Sequence, residues 1–67
     1  MQETLTRKRE SKGLKQVDLA RLAGISESLL SRIESGHVKR PSFETVRRLA
    51  AALGTRPEKL FPDEDVA

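Results

Sequence analysis

Apolar side chains recur along this chain at three- and four-residue intervals, and no stretch alternates with the two-residue period of a half-buried strand. Gly13, Gly24, Gly36, Pro41, Gly54, Pro57 and Pro62 interrupt the pattern and divide the chain into five short segments. The first predicted helix covers about 2–12, with Met1, Leu5 and the Arg9 stem on one face and Lys12 in its last turn, where a cation suits the helix dipole. The second covers 16–23, with Val17, Leu19, Ala20, Leu22 and Ala23 as its apolar side and Gly24 after it. Its N-cap position falls on Lys15, a poor capping residue. The third covers 27–35, capped by Ser26. Leu30 and Ile33 face inward there, and Glu27, Ser28, Ser31 and Arg32 face outward. The fourth covers 43–53 behind Ser42, with Phe43, Val46, Leu49, Ala50 and Leu53 on its apolar side. A last turn or two, 57–61, starts at Pro57. The expectation is an all-α, compact five-helix domain over 1–61 with an acidic tail at 62–67.

Residues 16–35 form a unit. Two short helices meet through a tight turn at Gly24, and the small Ala20 sits where the second helix must cross the first closely. Leu19, Ala23, Ile25, Leu30 and Ile33 then allow packing at roughly 100–120°. The outer face of the second helix of this pair keeps short polar and charged side chains.

Composition narrows the function. At 67 residues the chain is one small domain, with 36% hydrophobic and 34% charged residues. The longest apolar run, Leu49 to Leu53, is far short of the roughly 20 residues a bilayer requires, so no membrane role is expected. Arg7, Lys8, Arg9 and Lys12 occupy the stretch where the apolar part of a signal peptide would lie, so a cytoplasmic protein is expected. There is no Cys, and His37 is the single His, expected as a solvated loop residue. With no Tyr and no paired carboxylates at a plausible pocket, no general acid–base set is visible, and no enzyme, metal or cofactor is expected. Residues 1–60 hold all thirteen Lys and Arg against seven acids, a net +6, while Asp63, Glu64 and Asp65 fall within the last five residues. A basic body suits a polyanionic partner and equally suits a highly charged soluble surface.

The ordered motifs decide between these. Gly-Leu-x-Gln-x-x-Leu-Ala at 13–20, Ala-Gly-Ile-Ser at 23–26, Leu-Ser-Arg-Ile-Glu-Ser-Gly at 30–36, Lys-Arg-Pro-Ser-Phe at 39–43 and Ala-Leu-Gly at 52–54 occur in sequence. Over about 4–61 the chain resembles the Xre-type helix-turn-helix family of lambdoid phage repressors and Cro proteins. The resemblance implies a lambda-repressor-like DNA-binding fold with the helix-turn-helix at helices two and three. It makes helix three the recognition helix, with base-reading positions at Ser26, Glu27, Ser28 and Arg32. Arg32 suits guanine and Glu27 suits the cytosine amino group. Phosphate contacts are implied at Gln16, Lys39, Arg40 and Ser42, with Lys15 beside them. In the family, the helix-two glutamine also buttresses the start of the recognition helix. Arg9 and Glu34 align with an ion pair linking helix one to the end of helix three, a structural role. Lys8 stands where an apolar residue is common. Leu29 is expected outward, touching a thymine methyl or sugar, or else covering the turn.

The resemblance also implies a homodimer on a two-fold double-stranded operator. Pro57, Lys59, Leu60 and Phe61 are the dimer candidates, although Leu60 and Phe61 equally suit closure of the monomer core. No small-molecule ligand is evident. The function implied is a sequence-specific transcription regulator, a small dimeric repressor or autoregulator of bacterial or phage type, nucleoid-associated when bound. The alternative is a protein–protein adaptor on the same fold.

Overall fold

The computed structural model describes residues 3–60, and these form five helices with no strand: α1 Glu3–Ser11, α2 Gln16–Ala23, α3 Glu27–Ser35, α4 Phe43–Leu53 and α5 Pro57–Leu60. The ends of α2, α3 and α4 fall where the sequence puts them. Ser26 Oγ accepts from the Leu29 N–H at 3.0 Å, and Ser42 Oγ accepts from the Thr45 N–H at 3.2 Å. Helix α1 stops at Ser11, one residue early, and Lys12 belongs to the turn instead of the helix.

The poor cap at Lys15 is compensated from inside α2. Asp18 reaches back and accepts from the Lys15 N–H at 3.0 Å, half of a capping box, and the Lys15 side chain takes no part. At the other end Gly24 takes φ +72°, its N–H donates to the Arg21 carbonyl, and the Ile25 N–H donates to the Ala20 carbonyl at 3.0 Å. A side chain there would be strained by the positive φ, and its Cβ would stand 3.0 Å from Arg48 Nη1. Gly24 therefore sets the turn that directs α3 across α2.

The core is one cluster: Leu5 of α1, Leu19, Ala20 and Ala23 of α2, Leu30 and Ile33 of α3, Leu49, Ala50 and Leu53 of α4, and Leu60 of α5. Helix α2 packs against both α3 and α4, and α5 closes against α4. Leu60 is completely buried, so it belongs to the core and is withdrawn from the dimer candidates. Pro57 is half-buried and Lys59 exposed, while Phe61 and the tail 62–67 lie outside the described residues, as does Met1.

Three apolar assignments are corrected. Val17 and Leu22 are 38% and 62% exposed, because at about 100° per residue they lie a right angle or more from the Leu19–Ala20–Ala23 stripe. Phe43 is 72% exposed: it falls on the flank of the α4 stripe, in the first turn. Leu29 is not fully outward; it is half-buried and packs against the core. Phe43→Ala is accordingly expected to change the unfolding free energy by less than about 0.5 kcal/mol. Leu49→Ala, at a fully buried site, should cost about 2–5 kcal/mol. Denaturant melts of the two variants check this; comparable losses would return Phe43 to the core.

Candidate nucleic-acid interface

The outward face of α3 is built by subtraction. Leu30, Ile33 and Glu34 are buried, Leu29 is half-buried, and Glu27, Ser28, Ser31, Arg32 and Ser35 remain exposed. Ser28 and Arg32 are four apart and so neighbour each other on the helix surface. Glu27, in the first turn, suits the positive end of the helix. Ser26, at the N-cap, is exposed, and its hydroxyl keeps its proton for donation while accepting from Leu29.

The position of α3 is fixed by a buried polar cluster. Glu34 is 7% exposed, and its carboxylate accepts from Arg9 Nε at 2.8 Å, Arg9 Nη2 at 3.0 Å, Thr6 Oγ1 at 3.2 Å and Gln16 Nε2 at 3.1 Å. Arg9 Nη1 also donates to the Leu14 carbonyl at 2.8 Å, in the turn before α2. The Glu34 hydrogen bond raises the Arg9 pKa above its ordinary value, with burial opposing it. Arg9 and Glu34 thus form the ion pair that joins α1 to the end of α3. Gln16 is tied to that same end, through Glu34, and its buttress runs to the finish of α3 rather than the start. Thr6 went unread in the sequence, although it lies three residues before Arg9 and hence on the same face.

After α3, Gly36 turns the chain into the loop that carries Lys39 and Arg40, both exposed. His37 is exposed too, but its Nδ1 lies 2.8 Å from Ser35 Oγ. Ser35 Oγ also lies 3.1 Å from the Arg32 carbonyl, to which its hydroxyl can donate. Ser42 is exposed at the head of α4, but its hydroxyl donates to Thr45 Oγ1 at 3.0 Å and is already engaged.

Charges on α4 are largely paired. Arg47 Nη2 donates to both Glu44 oxygens at 2.8 Å, and Arg48 Nε donates to Oε2 at 2.8 Å. These bonds, from Arg47 first and Arg48 second, hold the Glu44 carboxyl below its usual range. The signal was present in the sequence as acid-then-base spacing of three and four on an exposed helix face. Arg32 and Lys39, by contrast, have no ion-pair partner among the described residues. Arg32 and Lys39 thus belong to a basic surface that also carries the exposed Arg7, Lys12, Lys15 and Arg21.

The sequence matches the family model described as Helix-turn-helix over residues 5–60. The chain belongs to this family, that of Xre and lambda-repressor-like DNA-binding domains. It is a DNA-binding helix-turn-helix regulator, of a family typically without enzymatic activity. No curated protein and no solved structure matches the chain. Among the described residues no helix is long and apolar enough to cross a membrane.

Because the folded chain holds Glu44 below its ordinary pKa, its ion pairs favour folding above the unfolded carboxylate value, about 4.3. That contribution is lost as pH falls through the lower folded value. Glu44→Gln should therefore lower the Tm slightly at neutral pH, with the difference from wild type closing in acid. Circular dichroism melts across pH measure it; a gap that widened in acid would mean that these pairs do not favour the fold.

Proposed function

We propose that this helix-turn-helix domain is a sequence-specific transcription regulator, a small dimeric repressor or autoregulator that reads the major groove with α3. The observation that carries the reading is the exposed α3 face, where Arg32 stands without an ion-pair partner beside a cationic loop, while Arg9, Arg47 and Arg48 are paired. Ser26, Glu27, Ser28 and Arg32 read base edges: Arg32 donates to guanine O6 and N7, and Glu27 accepts from a cytosine amino group. An acid facing DNA is tolerated only against such a donor. Lys39, Arg40, Lys15 and Gln16 meet the phosphate backbone and set register. Ser42 joins them only by giving up its bond to Thr45, so its share is smaller.

Two copies bind a two-fold operator, with half-sites one helical turn apart. With Leu60 in the core, Pro57, Lys59 and Phe61 remain for the dimer contact. The protein acts in the cytoplasm of a bacterium or on a phage genome, associated with the nucleoid when bound.

Selection of bound sites from a random duplex pool is expected to return a two-fold motif. On that site Arg32→Ala should weaken binding by roughly 1–3 kcal/mol and relax preference at one base step. Lys39→Ala should weaken selected and random duplexes alike and reduce the salt slope by about one unit. Equal losses on both duplexes for Arg32→Ala would remove it from base reading. No enriched motif from a folded protein would favour the adaptor reading instead.

A further inference from the structure

The cluster around Glu34 does more than join helices. A carboxylate paired with a guanidinium offers only acceptors, so Gln16 must meet it with the amino end of its carboxamide. Glu34 Oε1 is the oxygen that receives Gln16 Nε2, and Thr6 and Arg9 Nη2 hold that same oxygen. The terminal torsion of a glutamine is ordinarily broad and close to two-fold, so its two ends interchange readily. Here the buried carboxylate selects one end. One Nε2–H is committed to Glu34, and the second diverges from it on a side chain that is only half-buried.

We infer that Glu34 is a positioning residue for duplex binding: it sets the Gln16 carboxamide so that one N–H remains directed to a backbone phosphate. This rests on the reading above that Gln16 meets the DNA backbone. Glu34 itself does not touch DNA. Without it the carboxamide turns freely and offers its carbonyl, which phosphate repels, as readily as its amino group.

Arg9→Met combined with Glu34→Leu removes both charges together, so neither is left buried without its partner and the net charge is unchanged. Affinity for one fixed duplex, by fluorescence anisotropy, and Tm are measured for wild type, this pair variant, Gln16→Ala and the combination. The pair variant should weaken binding about twofold to tenfold, the worth of one hydrogen bond. It should leave affinity unchanged when Gln16 is already Ala, while Tm still responds to it in both backgrounds. Equal loss of affinity in both backgrounds would make Glu34 merely structural and overturn the inference. If Gln16→Ala alone leaves affinity intact while Lys39→Ala lowers it, the inference falls and the DNA-binding surface stands. If wild type binds no duplex even at low salt, the surface reading itself fails. Nuclear magnetic resonance of wild type is independent of whether the variants fold. One of the two Gln16 Nε2 protons should be protected from exchange with water, and equally fast exchange of both would contradict the assignment.

Discussion

A carboxylate taken into the interior of a domain this small costs several kcal/mol to desolvate unless donors fill its lone pairs. Glu34 meets that condition with partners drawn from two other helices, Thr6 and Arg9 on α1 and Gln16 on α2. The consequence is geometric. Each donor constrains where the end of α3 can lie, because moving it would leave a charged group buried and unpaired. The apolar cluster supplies the driving force for collapse, but Leu, Ile and Ala contacts tolerate small slides. Hydrogen bonds to a buried charge do not. Together with the close crossing at Ala20 and the turn at Gly24, this fixes the attitude of α3 on the body.

With α3 fixed, the placement of charge follows. Glu34 neutralises Arg9 inside the domain, and Glu44 holds Arg47 and Arg48 on α4. Arg32 on α3 and Lys39 and Arg40 in the loop after it are exposed. A surface that combines short hydroxyl side chains with cations at its edge suits a groove lined by hydrogen-bonding base edges and flanked by phosphates. It is less suited to a protein partner, whose buried contact would be richer in aromatic and apolar groups.

Much of this was legible in the sequence because helix ends are local. Ser26 and Ser42 as caps, and Gly24, Gly36 and Gly54 beyond the last turns, bound α2, α3 and α4 without reference to anything distant. Burial was read less well, since it depends on neighbours. Val17 and Leu22 are apolar, yet α2 turns them away from the core, and Phe43 sits at the flank of a stripe that the rest of α4 follows. Leu29 went the other way, partly inward. Asp18 rescuing the Lys15 cap was within reach of a three-residue rule. The bond from Gln16 to Glu34 was not, because eighteen residues separate them and only the fold brings them together. The bond from the Ser42 hydroxyl to Thr45, also three residues on, was equally within reach of that rule and went unread.

The central claim is that α3 and the loop behind it form one surface for duplex DNA, held in place by the buried cluster at Glu34. Backbone amide shift mapping during titration with a short duplex at low ionic strength tests it most directly. Perturbations are expected to concentrate at 26–32 and 39–42, with Gln16 among them, and to weaken as salt is raised. Shifts gathered instead on the outer faces of α4 and α5, or none at any duplex concentration, would contradict it.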